Sequence, residues 1–148
     1  MGDRLAQLKL AITLLSKHLD TPPRPSPVYE TAAWGITDQP AFLNQVVEIQ
    51  TTLGPFALLD LILNIERTMG RIRVQKWGER LIDLDILMYD TLVLRSHRLH
   101  IPHPYLADRR FVLAPLHDLA PQRMVPGHHL TVHQLLASCD DEGSVSAV

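Results

Sequence analysis

Between Asp3 and His18 leucine and isoleucine recur at intervals of three and four, at Leu5, Leu8, Ile12 and Leu15, with Leu19 just beyond. That spacing predicts a helix with one apolar stripe, and Asp3 is read as its N-cap. The run T-P-P-R-P-S-P at residues 21–27 ends it, because each proline fixes φ and removes a backbone donor. Strands are predicted over Pro27–Thr31 and Phe42–Thr52, joined by the loop A-A-W-G-I-T-D-Q-P. In the second, Val46, Glu48, Gln50 and Thr52 alternate with Val47 and Ile49, so one face is half polar. The helical period returns at Leu58, Ile62, Ile65 and Met69. It predicts a second helix from Pro55, suited to a first turn, to Gly70, suited to a C-terminal stop. A last helix is predicted over Thr131–Ser138, and the acidic, then small and polar, residues 140–148 predict a disordered tail.

The sharpest alternation is at Leu81–Met88, read as a strand. Ile82, Leu84, Ile86 and Met88 share one side; Asp83 and Asp85 share the other with Leu81 and Leu87. At ~3.3 Å per residue the two aspartate Cα atoms stand about 6.6 Å apart with both carboxylates pointing one way. This suits one or two hard divalent cations, since Mg²⁺ is commonly held by one or two carboxylates plus waters and phosphate oxygens. Upstream, Arg71, Arg73, Lys76 and Arg80 offer positive charge and planar forks for phosphate. Cations beside paired carboxylates point to a polyphosphate. The competing reading, a half-exposed strand with an ordinary polar face, loses ground because the basic stretch and Trp77 are directly attached.

Trp34 and Phe42 flank a loop and offer flat surfaces for a ring, although such aromatics more often fill cores. His97, His100 and His103 invite a zinc reading, but on an extended segment a spacing of three does not keep them on one face, and no cysteine or acidic ligand accompanies them. His128, His129 and His133 are read as surface residues.

Composition narrows the classes. With 148 residues, 46% hydrophobic and 20% charged, the chain predicts one globular domain, over residues 1–139. A net charge of −2 gives no general attraction to nucleic acid or anionic membrane, so a phosphate site must be a local cluster of arginines. Cys139 is the single cysteine and forms no internal disulfide, which fits a reducing cytoplasm. No apolar run predicts a membrane span, and no leader is read at the start.

The segment K-W-G-E-R-L-I-D-L-D-I-L, residues 76–87, resembles the signature of the 6-hydroxymethyl-7,8-dihydropterin pyrophosphokinase family: basic–x–Gly–x–Arg–x–x–Asp–x–Asp followed by aliphatics. I-P-H-P at 101–104 and R-R-F-V-L-A-P-L at 109–116 form a second match. The resemblance implies a ferredoxin-like α+β sandwich and an enzyme of folate biosynthesis. Its reaction would move pyrophosphate from MgATP to the pterin hydroxyl, with ATP as co-substrate and two Mg²⁺ ions. It implies Arg71, Arg80, Asp83 and Asp85 as catalytic, with both aspartates on metal and Asp83 near the hydroxymethyl group. Glu66, Arg73, Trp77, Arg80, Ile86, Arg98, His100, His103 and Arg109 would meet ATP. Thr31, Trp34, Phe42, Asn44, Trp77, Asp83 and Phe111 would meet the pterin, Phe111 stacking opposite Trp77. The Arg71–Lys76 stretch is expected to be a mobile loop until substrates bind.

Family members open with an apolar strand and then G-S-N-L-G-D-R, whereas this sequence opens at M-G-D-R. The expectation is therefore a sheet without that strand, or a start lying further upstream. Partners are expected to be small molecules, not nucleic acid or membrane, with the chain a monomer or weak homodimer. Two other readings are carried: a non-catalytic pterin or nucleotide binder, and a ferredoxin-like nucleic-acid module, the latter opposed by the acidic net charge.

Overall fold

A computed structural model describes residues 2–31, 42–74, 82–141, 143 and 145–148. In chain order its elements are α1 (Gly2–Ser16), β1 (Arg24–Pro25), β2 (Tyr29–Thr31), β3 (Phe42–Asn44), β4 (Val47–Glu48), α2 (Pro55–Val74), β5 (Leu94–Arg95) and β6 (His100–Ile101). A 3₁₀ turn (Leu106–Asp108), α3 (Arg110–Leu119), β7 (Met124–Val125), β8 (Leu130–Thr131), α4 (Val132–Ala137) and β9 (Val145–Ala147) complete them. The class is mixed α and β, with small antiparallel sheets. The stretch read as one domain resolves into two compact units, Gly2–Pro23 with Ile49–Ile86, and Arg24–Glu48 with Leu87–Val148.

In the helical unit, α2 buries the face its sequence period predicts: Leu58, Ile62, Ile65 and Met69 are between 3% and 7% exposed. Ile65 and Met69 form a core with Ala11 of α1, and Leu10, Leu14, Leu15, Leu61, Ile82 and Leu84 pack around it. Of the stripe read at Leu5, Leu8, Ile12, Leu15 and Leu19, Leu15 packs on this core, and the contact face of α1 is otherwise shifted to Leu10, Ala11 and Leu14. The helix carries leucine on several sides, so period alone does not choose which one meets α2. Asp3 lies inside the first turn rather than capping it, still favourably placed against the helix dipole. Nor does α2 stop at Gly70. A glycine inside a helix costs about 1 kcal/mol relative to alanine, and here buried Met69 before it and helix-compatible residues after it carry the helix on to Val74. Arg71 and Arg73 therefore sit on the last helical turn and not in a loop.

Residues 82–86 keep the predicted alternation, which ends at Leu87, read on the aspartate side but packed with Met88 on an apolar core; residues 82–89 join no ladder among the described residues. Their backbone is held otherwise: Leu84 N–H donates to Glu66 Oε2 at 2.6 Å, and the Leu87 carbonyl accepts from His103 N–H at 2.9 Å.

In the sheet unit, β2 pairs antiparallel with β3 and with β9. The long strand predicted over Phe42–Thr52 is broken into β3 and β4. Arg24 faces Glu48 and Pro25 faces Val47, yet Tyr29 faces Asn44, so three residues oppose two and the first strand bulges. Ser26 sits at the bulge, 3% exposed. Its N–H donates to the Val46 carbonyl, its Oγ accepts from Val46 N–H at 3.0 Å and donates to the Pro27 carbonyl, and Gln45 Nε2 donates to its carbonyl. Each of these satisfies a polar group that would cost about 1–3 kcal/mol if buried alone.

The core of this unit is Leu106, Leu113, Leu116, Val125, Val132 and Leu135, contributed by the 3₁₀ turn, α3, β7 and α4. Thr131 caps α4 through a reciprocal pair of bonds with Gln134, close to the bounds read from the sequence. The C-terminal residues, expected to be disordered, instead form β9: Thr31 faces Val145 and Tyr29 faces Ala147. Composition alone pointed to a solvated tail, but β2 offers a free edge to pair with. Arg110 also ties the approach down, donating to the Asp141 and Cys139 carbonyls while its own N–H reaches Asp141 Oδ2. Among the described residues no helix is long and apolar enough to cross a membrane.

Candidate active site

The helical unit holds the carboxylates. Ile82 and Leu84 turn into the α1–α2 core and Ile86 is buried, which leaves Asp83 and Asp85 exposed on the opposite side of the segment. The alternation read in the sequence thus delivers both carboxylates to one side. Ile86, expected on the adenine side, spends its side chain on burial, at 9% exposure.

Glu66, half-buried on α2, stands under this pair. Burial raises its carboxyl pKa above the ordinary value, the hydrogen bond from Leu84 N–H works against that, and the negative charges of Asp83 and Asp85 push it up further. Glu66 thus senses the charge of both aspartates, so the field here is locally negative. Two hard oxygen donors, exposed side by side in such a field, fit a divalent cation such as Mg²⁺. On the same helix, Arg71 extends from the final turn and its Nη2 donates to Thr68 Oγ1 at 3.3 Å. Arg73 occupies that turn too. Lys76, Trp77 and Arg80 lie outside the described residues.

The sheet unit holds the expected ring and nucleotide contacts. Asn44 Nδ2 donates to Thr31 Oγ1 at 3.1 Å across the β2–β3 pair, which leaves the Asn44 amide an acceptor and a second donor for a ligand edge. Phe42, two residues away on the same face, is 53% exposed. Trp34 lies outside the described residues.

The β5–β6 hairpin turns through Ser96–Leu99, where Ser96 N–H donates to the Leu99 carbonyl and Leu99 N–H to Ser96 Oγ. Arg98 is exposed on this turn, and His100 is exposed on β6 opposite Arg95. Beyond it, Tyr105 N–H donates to His103 Nδ1 at 3.2 Å. In the neutral ring that bond puts the hydrogen on Nε2, leaving Nε2–H as an available donor.

Arg109 precedes the first turn of α3, and its guanidinium lies 4.6 Å from the Tyr105 ring centroid and 5.5 Å from that of Phe111. Phe111, expected against a pterin, thus carries a cation over its ring. Tyr105, 53% exposed, was not read as a site residue; its position two residues after His103 was the available signal. Arg110 and Asp141 were also missed, because their pairing across the sequence has no local pattern.

Comparison with known proteins adds an independent line. A sequence model of the family described as 7,8-dihydro-6-hydroxymethylpterin-pyrophosphokinase matches residues 1–121. A protein of Methylorubrum extorquens named 2-amino-4-hydroxy-6-hydroxymethyldihydropteridine pyrophosphokinase is 40% identical over 148 residues, covering 97% of this chain and 90% of its own. Proteins of the same name from Bacillus subtilis and Pseudomonas aeruginosa are 44% and 45% identical, covering 82% and 80% of this chain and 74% and 72% of theirs.

Proposed function

The chain belongs to the 7,8-dihydro-6-hydroxymethylpterin-pyrophosphokinase family, and we propose that the residues described above carry out that family's transfer here. The chain is an ATP-dependent diphosphotransferase of folate synthesis, acting on 6-hydroxymethyl-7,8-dihydropterin. The hydroxyl oxygen of the pterin attacks the β-phosphorus of ATP, the bond between the α,β-bridging oxygen and the β-phosphorus breaks, AMP leaves, and the hydroxyl proton is lost to water. Such a transfer asks little covalent chemistry of the protein and much positioning and charge stabilisation.

Asp83 and Asp85 would hold Mg²⁺, two ions in this reading, and Asp83 would also lie nearest the hydroxymethyl group. Bound Mg²⁺ supplies neutralisation of the phosphate oxygens. Arg71, Arg73 and Arg80 meet the migrating negative charge. Arg98, His100, His103 and Arg109 receive the nucleotide, with His103 donating from Nε2. Thr31, Phe42 and Asn44 receive the pterin together with Trp34, Trp77 and Phe111. The ferredoxin-like arrangement, a monomeric or weakly dimeric state and a cytoplasmic location go with this reading.

The observation that carries it is the segregation at residues 82–86, with Ile82 and Leu84 packed on the α1–α2 core, Ile86 buried and both carboxylates exposed. Asp83→Ala and Asp85→Ala are each expected to lower AMP release by about a thousandfold or more, with circular dichroism unchanged. Turnover near that of the unaltered chain in both variants refutes the metal assignment. Binding of pterin and ATP without any turnover in the unaltered chain favours a non-catalytic binder.

A further inference from the structure

We infer that Glu66 is a positioning residue that fixes the backbone between Asp83 and Asp85, and not a ligand of the nucleotide; this deepens the transfer reaction proposed above and rests on it. Its Oε2 accepts from the N–H of Leu84, the residue separating the two aspartates, at 2.6 Å. The Leu84 nitrogen is bonded to the Asp83 carbonyl carbon. Holding it fixes the peptide plane between Asp83 and Leu84, and with it ψ of Asp83 and φ of Leu84, the turn of backbone that leads from one aspartate towards the other.

Ordinarily a strand's peptides are held by its neighbours in a sheet. Residues 82–89 join no ladder among the described residues, so the side chain of Glu66 stands where a ladder acceptor would stand. The contact is also built from both sides. Leu84 packs its side chain on the core that Ile65 and Met69, either side of Glu66 on α2, form with Ala11. A backbone donor bonded to a carboxylate is among the stronger hydrogen bonds available to a protein. Its geometry survives the half-burial that raises the Glu66 pKa and the like charge of the aspartates beside it. Glu66 also shares α2 with Arg71 and Arg73, so one rigid helix carries the cations and the clamp on the carboxylates.

The test is steady-state AMP release by the full chain, with Mg²⁺, ATP and pterin each varied, for the unaltered chain, Glu66→Gln and Glu66→Ala. Glutamine still presents an oxygen to Leu84 N–H, so Glu66→Gln is expected to keep kcat within about threefold. Glu66→Ala is expected to lower kcat by about ten- to a hundredfold and to raise the Mg²⁺ concentration for half-maximal rate, with KM for ATP at saturating Mg²⁺ within about twofold. A merely structural role predicts lower melting temperature with the Mg²⁺ dependence unmoved, and that result overturns the inference. So does a raised KM for ATP as the sole change in Glu66→Ala, the mark of a nucleotide ligand, or a Glu66→Gln variant as impaired as Glu66→Ala.

Should Glu66→Ala fail to fold, the Leu84 amide of the unaltered chain gives the answer. Protection from hydrogen exchange, and a proton shift that moves with Glu66 ionisation, support the clamp; an amide exchanging like open loop overturns it. The same amide measurement applies if the unaltered chain releases no AMP, an outcome that removes the transfer reaction without touching the contact.

Discussion

The carboxylate segment and the basic–aromatic segment handle charge in opposite ways. At residues 82–86 two exposed aspartates raise the pKa of the half-buried Glu66 beside them, adding to the effect of its burial. At residues 103–111 the polar groups already have local contacts: Arg109 lies over two rings, and His103 has a ring nitrogen engaged by a backbone donor. The first arrangement leaves negative charge facing solvent. The second is set in place before any ligand arrives. The carboxylate segment leaves its charges exposed, whereas the basic–aromatic segment is ordered by its own contacts, as cation–π contacts and local side chain–backbone bonds allow.

The largest effect expected from this contrast is on ligand-linked stability. With Mg²⁺ and a non-hydrolysable ATP analogue at about a hundred times Kd, the unaltered chain should gain about 2.7 kcal/mol in denaturant titrations. Asp85→Asn removes one of the two donors, so most of that gain should vanish although the apo fold is kept. A full gain in Asp85→Asn would mean that the carboxylates are not where the cation acts. A smaller effect is expected from the pre-set half. Tyr105→Ala takes away the closer of the two rings facing Arg109, and KM for ATP should rise by about two- to fivefold with kcat unchanged. No change in KM would show that the stack does not prepare Arg109 for its ligand.

The same contrast explains what could be read in advance. The buried face of α2 and the inward row at Ile82 and Leu84 follow from one dominant period, and residues three, four or two apart then share a side whatever the rest of the chain does. On α1 the period was ambiguous, because leucines cover more than one face, and the packing side came out differently. In the sheet unit the nucleotide contacts expected of Arg98, His100 and Arg109 came from a family resemblance, not from periodicity. These residues sit on a four-residue turn, a two-residue strand and a helix N-terminus, elements too short to leave a periodic signal. The bulge at Ser26, the Arg110–Asp141 tie and β9 depend on partners more than fifteen residues away, and nothing local announces them.

The smallest predicted effects are titrations, and they separate the two halves by cause. In the sheet unit, the Tyr29 hydroxyl donates to Asp118, and that bond is the main reason its pKa is pushed up from 10.0 to about 12. A folded-state value above the unfolded one means the protonated form is favoured on folding. The stability it contributes is complete below pH 10.0 and drains away as pH rises towards about 12. Tyr29→Phe should flatten that alkaline limb while lowering stability at neutral pH by only about 1 kcal/mol. In the helical unit Glu66 is raised as well, but burial is the leading cause and the aspartates are secondary. Its favourable contribution likewise belongs to the protonated form and is lost as pH rises through and above the ordinary carboxylate range, leaving a charge that opposes folding at neutral pH. Saturating Mg²⁺ offsets the aspartates and leaves the burial, so in carboxyl NMR titrations Glu66 should move only part of the way back. A complete return would make repulsion, not desolvation, the dominant force at the carboxylate segment. No movement at all would place the cation somewhere other than Asp83 and Asp85.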